Sequence, residues 1–209
     1  CLLLYFKGRL APSTSDSAVT GNFFYDYFMG NELYPKILGW SVKHFTNSRF
    51  GMMAWPVIII SFAAKQQELH GLTDGMFVSL ALQLWYISHF FWWETGYFRT
   101  MDIQHDRAGF YICWGTLVWL PIIYTSPSLY LVNHPITLGW WLAGIIFIIG
   151  ASSILAKNLS NRERLRVRQT GGNTTVWGKP PRIIRAKYIN EKGEEKENIL
   201  LASGYWGIA

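Results

Sequence analysis

Apolar and polar positions alternate in long blocks along this chain, not at single-residue spacing. Four blocks have the makings of membrane-embedded helices. Residues 52–64 are a short apolar run, extendable only through the polar Lys65–Glu68. Residues 75–93 hold no charged side chain, with His89 the one titratable imidazole. Residues 108–125 include Pro121, which a helix tolerates near an end or as a kink. Residues 136–156 are the cleanest run. A helix rising 1.5 Å per residue crosses the bilayer core in about 20 residues, so the last three are long enough or nearly so. Residues 1–6 resemble the tail of a further helix. Between these blocks the chain turns polar at 11–50, expected to be a long loop, at 94–107, and at 126–135, expected to be a short loop.

Beyond residue 157 the pattern changes. Two strand-like runs, 183–189 and 195–202, flank Asn190-Glu-Lys-Gly193, which predicts a β-hairpin with a glycine-containing turn. The predicted fold class is therefore an all-α polytopic membrane protein with a small cytoplasmic β-hairpin segment. Residues 1–156 form the transmembrane region, with about four embedded segments plus a truncated first one. Residues 157–209 form a cytoplasm-facing region of basic helix and hairpin.

Charge supplies the orientation. Residues 157–187 carry nine Lys and Arg against the single acid Glu163, directly after the apolar run at 136–156. Lys and Arg collect on the cytoplasmic side of a membrane boundary. If 157–209 is cytoplasmic, 126–135 lies on the far side and 94–107 is cytoplasmic again. The formal charge of +6 comes almost entirely from this block and does not point to nucleic acid.

Composition agrees with a membrane setting. Half of the 209 residues are hydrophobic and only 15% are charged, against roughly 25% in soluble domains. Eleven Trp and eleven Tyr suit the two bilayer interfaces. The two cysteines, Cys1 and Cys113, build neither a disulfide framework nor a metal site. The chain starts without Met inside an apolar stretch, which reads as an internal segment of a longer protein.

Two clusters could carry chemistry. Glu94, Asp102, His105 and Asp106 crowd one short connection beside apolar runs; an ionisable group near hydrocarbon has a shifted pKa and can serve as a proton donor. The competing reading is a solvated loop in which Arg99 and Arg107 pair the acids. In the second cluster, Arg164 and Arg168 stand four residues apart, so on a helix they form a two-guanidinium clamp suited to phosphate or to anionic lipid. Ser203-Gly204 ends the second strand, and Tyr205 and Trp206 offer flat faces on which a ring could stack. In 20–35, Asp26 and Glu32 sit among many aromatics, as in an amphipathic pocket or an interfacial helix.

Four stretches, in order, resemble the sterol reductase family of polytopic membrane enzymes (the Δ14-sterol reductase and lamin B receptor family). They are Thr20-Gly-Asn-Phe-Phe-Tyr-Asp-Tyr with Gly30-Asn-Glu-Leu, Thr100-Met-Asp-Ile-Gln-His-Asp106, Tyr130-Leu-Val-Asn-His-Pro135 and Leu200-Leu-Ala-Ser-Gly-Tyr-Trp-Gly207. Ser61-Phe-Ala-Ala-Lys-Gln-Gln-Glu-Leu-His70, the Trp114–Pro121 stretch and Val176-Trp-Gly-Lys-Pro-Pro-Arg182 resemble the branch acting at C7–C8. The resemblance implies NADPH-dependent reduction of a sterol ring double bond, the C7–C8 bond of a 7-dehydrosterol, in the endoplasmic reticulum or a bacterial inner membrane. It implies cofactor contacts from Asn161, Arg164, Arg168, Leu201 and Trp206, with the sterol and membrane lipid as partners and no metal. Among the catalytic candidates it leaves Glu94, Asp102, His105 and Asp106 open. The chain departs from the family pattern in carrying Arg164 where Lys is usual, Tyr34 and Lys36 in Glu-Leu-Tyr-Pro-Lys, Trp93 before Glu94, and Thr116 after Trp114-Gly. Rival readings are a Δ14-type reductase, a non-catalytic sterol-binding scaffold, and a membrane methyltransferase of the isoprenylcysteine type using S-adenosylmethionine.

Overall fold

The computed structural model describes residues 1–13, 17–98, 103, 106–189 and 195–207. Two compact units divide the described chain, Cys1–Phe147 and Ile148–Ala209. The division falls inside the helix Trp140–Gln169, which contributes to both.

The first unit is helical. Helix α1 (Leu2–Leu10) leads to α2 (Phe23–Met29), whose N-terminus is capped by Asn22. The Asn22 carboxamide oxygen accepts from the Phe24 and Tyr25 N–H groups, which would otherwise lack partners in the first turn. A two-residue ladder, β1 (Lys36–Ile37) with β2 (Trp40–Ser41), turns through Leu38 and Gly39, both at positive φ. The chain then winds helically from α3 (Val42–His44) through a π-helical segment, Phe45–Gly51, into α4 (Met52–His70). The stretch expected to be a long loop at 11–50 thus contains two helices and a tight hairpin. Its aromatic side chains supply the packing that its polar composition concealed.

Helix α4 runs 19 residues, through Lys65–Glu68, and packs against α5 (Asp74–Trp92). Met52, Trp55, Ile59 and Ile87 form the core between them. The interface also carries hydrogen bonds. Trp55 Nε1 donates to Gln83 Oε1 at 2.7 Å, and Gln83 Nε2 donates to Ser79 and Ser128 Oγ, each at 2.9 Å. Gln83 thereby links α4 to α5 through one shared side chain. After the short α6 (Glu94–Tyr97), a second continuous helical stretch is built from α7 (Phe110–Trp114), a π-helical turn (Gly115–Trp119), α8 (Leu120–Ile123) and α9 (Ser126–Asn133). The loop expected at 126–135 is therefore mostly helix. Pro127 lies in the first turn of α9, where its missing N–H has no helical partner to lose. The true connection is 134–139, fixed by Asp74, whose carboxylate accepts from the Leu138 and Gly139 N–H groups at 2.8 and 2.7 Å. Among the described residues, two helices are both long and apolar enough to cross a membrane: Phe110–Asn133 and α10 (Trp140–Gln169).

In the second unit the predicted hairpin is present. Strands β3 (Ile183–Ile189) and β4 (Glu195–Leu201) pair antiparallel, with Ile183 opposite Leu201 and Ile189 opposite Glu195. A 3₁₀ turn, Gly204–Gly207, follows. The hairpin packs on the basic end of α10 through Val167, Val176 and Leu201, with Ile183, Ile199 and Trp206 around them.

Candidate functional site

The second unit brings most of the expected cofactor residues together. Positions 164, 167 and 168 share the face of α10 that meets the hairpin. The Arg164 guanidinium lies 4.6 Å from the centroid of the Trp206 ring. Trp206 Nε1 donates to the Ser160 carbonyl at 2.9 Å, one turn earlier. Arg168 Nε donates to the Ile199 carbonyl at 3.2 Å. Leu201 is buried beneath. Arg164 and Arg168 do share a face, and this face holds the hairpin and the 3₁₀ turn to the helix. Asn161 is half-buried on the same helix.

A second pair of arginines faces a cleft. Arg162 and Arg166, also four apart, line a cavity of about 370 Å³ with Glu163, Thr174, Trp177 and Tyr205. Both arginines are exposed, and among the described residues neither guanidinium has a partner. The Trp177 and Tyr205 rings meet edge to face at 5.1 Å. Glu163 accepts from the Tyr205 N–H at 3.3 Å and fixes that wall. The Thr174 hydroxyl is buried without a hydrogen-bond partner. Two cations, two aromatic faces and an unsatisfied hydroxyl suit a ligand with phosphate and flat rings. Neither Arg162 nor Arg166 was singled out by sequence, although their spacing equals that of Arg164 and Arg168.

In the first unit, Glu94 begins α6 and pairs with Arg49: Arg49 Nη1 bonds Oε1, and Nη2 donates to Oε2 at 2.9 Å. The hydrogen bond to Glu94 raises the Arg49 pKa, against the effect of burial. Asp106 is half-buried, and its backbone carbonyl accepts from Lys43 Nζ. Asp102 and His105 lie outside the described residues.

Buried charges organise this region: Lys43, which sequence reasoning passed over, and Glu32 and Asp26, which it placed among aromatics. Lys43 is only 1% exposed; its ammonium donates to the Ile103 carbonyl at 2.5 Å and sits 4.9 Å from the Tyr34 ring centroid. It thereby ties the connection after α6 to the start of α3. Glu32, equally buried, accepts from Lys7 Nζ at 2.7 and 2.8 Å. The Ala108 N–H donates to the Glu32 carbonyl at 2.9 Å. Asp26 is buried too and accepts from the Thr20 N–H and hydroxyl. Burial pushes the Asp26 pKa up, but the bonds from Thr20 and Gly21, with the Arg9 charge, outweigh it and leave it below the ordinary value. The backbones of Gly30 and Gly109 touch. A Cβ on Gly30, at φ +95°, would come within 2.4 Å of the Gly109 nitrogen.

A family model described as "Ergosterol biosynthesis ERG4/ERG24 family" matches residues 4–209. Among curated proteins, the chain is 51% identical to "7-dehydrocholesterol reductase" of Arabidopsis thaliana, over 100% of this chain and 49% of that protein. It is 42% identical to the Xenopus laevis protein of the same name, over 97% of this chain and 44% of the relative. It is 41% identical to "Delta(14)-sterol reductase" of Methylotuvimicrobium alcaliphilum, over 91% of this chain and 43% of the relative. The chain thus spans about half the length of the curated relatives it matches.

Proposed function

The chain belongs to the ergosterol biosynthesis ERG4/ERG24 family, and on that premise we propose that the protein reduces a ring double bond of a sterol with NADPH, acting on the C7–C8 bond of a 7-dehydrosterol. The observation that carries this reading is the cationic, aromatic end of α10. There Arg162, Arg166, Trp177 and Tyr205 line a cleft, and Arg164 stacks on Trp206 on the hairpin side.

The residues present fit a phosphorylated, ring-bearing cofactor. Arg162 and Arg166 would hold phosphate, the contacting pair Trp177 and Tyr205 would offer an aromatic wall for a ring, and the unpaired Thr174 hydroxyl would take a polar atom. Arg164, Arg168, Asn161, Leu201 and Trp206 are assigned to the same function, with Arg164 and Arg168 also fastening the hairpin. When bound, NADPH supplies a hydride. The other half of the reaction is a proton delivered to one alkene carbon by a protein acid. An isolated alkene is a weak base, so that acid has to be well placed and shielded from water. Glu94, Asp102, His105 and Asp106 are the candidates within this chain, with Glu94 oriented by Arg49.

The setting we propose is a polytopic integral membrane protein of the endoplasmic reticulum, or of a bacterial inner membrane. Helices α4 and α5 would join the two apolar spans, and 157–209 would face the cytoplasm. At about 1.5 Å per residue, a 19-residue helix such as α4 or α5 is roughly 28 Å long, close to the hydrocarbon thickness.

A second reading, reduction of a Δ14 bond by the same machinery, is favoured by the 41% identity to a Delta(14)-sterol reductase. The test is product analysis with NADPH and the two dienes, a Δ5,7- and a Δ8,14-sterol, in turn. Consumption of the Δ5,7-diene alone is the expected result. Consumption of the Δ8,14-diene alone would favour the second reading, and inertness toward both would refute reduction.

A further inference from the structure

The π-helical segment Phe45–Gly51 borders a pocket separate from the cleft at the end of α10. The pocket measures about 320 Å³ and is lined by Trp40, Ser41, His44, Phe45, Ser48, Arg49 and Phe98, with Gly39 at its rim. π-Helical segments are rare and recur at functional sites, because the extra residue widens the turn and turns a side chain outward.

Ser48 is the informative residue. It is 1% exposed, and its hydroxyl has no hydrogen-bond partner among the described residues. Several other helical hydroxyls bond back to the carbonyl four residues earlier: Thr46 to Val42 at 3.0 Å, Ser61 to Val57 at 2.8 Å, and Ser152 to Ile148 at 2.7 Å. Ser48 does not, although an orphaned buried hydroxyl has a free-energy cost. One turn before it, the His44 ring is packed 4.5 Å from Phe98 and 5.3 Å from Tyr34. The half-buried imidazole has no hydrogen-bond partner among the described residues. Burial lowers the His44 pKa and the Lys43 charge lowers it further, with Glu94 opposing, which favours the neutral ring. Arg49 brings the only charge on the lining among the described residues, and it is bonded through both terminal nitrogens to Glu94.

These features select a ligand. A pocket whose one cation is already paired does not call for phosphate or carboxylate. Its unsatisfied groups are a hydroxyl and a neutral imidazole, each able to donate or accept, and its walls are aromatic. The complementary group is a neutral hydroxyl on an apolar ring. The volume is at the low end for ligand pockets, enough for one ring of a larger molecule.

We propose that this pocket receives the hydroxyl-bearing ring of the sterol, with Ser48 Oγ and the His44 imidazole as hydrogen-bond partners of the alcohol. The proposal rests on the sterol reading given above, since sterols are by definition alcohols. Ser48 is then a determinant of substrate binding and has no part in the proton or hydride steps.

The test is direct binding of a tritiated 7-dehydrosterol, and of its methyl ether, to the protein reconstituted in lipid vesicles without NADPH. The wild type should bind the free alcohol about tenfold more tightly than the ether, the ratio expected for one buried hydrogen bond. Ser48→Ala should lose about that factor for the alcohol and change little for the ether. Ser48→Thr, which keeps a hydroxyl, should stay near the wild type. Equal wild-type affinity for alcohol and ether overturns the proposal without any variant, as does an unchanged alcohol affinity in folded Ser48→Ala. Turnover with NADPH, measured separately, tests the reductase reading. A protein that discriminates alcohol from ether yet reduces nothing would leave the pocket standing and the reductase reading refuted.

Discussion

Removing the indole of Trp206 should release the hairpin from α10. Three interactions are lost in Trp206→Ala. The Arg164 guanidinium at 4.6 Å from the ring contributes about 1 kcal/mol at a half-buried site. The 2.9 Å bond to the Ser160 carbonyl contributes about 1 kcal/mol more. Packing on Val167, Val176 and Leu201 adds on the order of 1 kcal/mol, below the loss for a fully buried ring because Trp206 is half-exposed. The sum is about 3 kcal/mol. Trp206→Phe keeps the ring and loses only the N–H bond, about 1 kcal/mol. Amide hydrogen exchange over β3 and β4 reads this local opening. With RT of about 0.59 kcal/mol, exchange should accelerate roughly 150-fold in Trp206→Ala and roughly fivefold in Trp206→Phe. Arg164→Ala combined with Trp206→Ala should show a coupling of about 1 kcal/mol, since the guanidinium and ring act on each other. Wild-type exchange rates in Trp206→Ala, or zero coupling in the cycle, would refute the assignment of this joint as what seats the hairpin.

Gly30→Ala should destabilise the first unit by several kcal/mol, on the order of 3 or more, because its Cβ meets backbone of Gly109 and Ala108 that cannot rotate away; a melt within a degree or two of the wild type contradicts this. Asp26, with its pKa held below the ordinary value, stabilises the fold above the unfolded carboxylate pKa and loses that contribution as pH falls through the lower folded value. Melting followed from pH 7 down to pH 2 should therefore fall less steeply in Asp26→Asn than in the wild type, and parallel curves would refute the assignment. Gln83→Leu should cost about 1–2 kcal/mol in stability in lipid, since it leaves the Trp55 N–H and the Ser79 and Ser128 hydroxyls without their shared partner; an equally stable variant would show that the α4–α5 seam is held by packing alone.

Much of the second unit was legible in sequence, because its signals are local. A strand pattern on each side of Asn190-Glu-Lys-Gly193 specifies a hairpin; the apolar run to 156 and the basic helix after it read as separate elements, and the structure joins them in one helix, Trp140–Gln169. What sequence could not decide was which arginine pair faces which way. Arg162 with Arg166 and Arg164 with Arg168 have the same spacing. The choice is made by Val167, which packs on Val176 and Leu201 and turns positions 164 and 168 toward the hairpin. In the first unit, Ser126-Pro-Ser reads as a turn until the proline is seen in a first helical turn. Nothing in the sequence singles out Lys43, and Glu32 reads only as an acid among aromatics. Their burial depends on partners far along the chain, Ile103 and Asp106 for Lys43 and Lys7 for Glu32, which no local pattern announces.

Incubating the vesicle-reconstituted protein with a 7-dehydrosterol and NADPH deuterated at C4, then locating the label by mass spectrometry and NMR, bears most directly on the reductase reading. The expected product is the C7–C8 saturated sterol with deuterium at one of those two carbons and a solvent-derived proton at the other. Substituting Arg162 and Arg166 by Ala should raise the cofactor KM far more than the sterol KM. A reduced sterol free of label, or labelled product formed with unchanged cofactor KM in that double variant, would contradict the account.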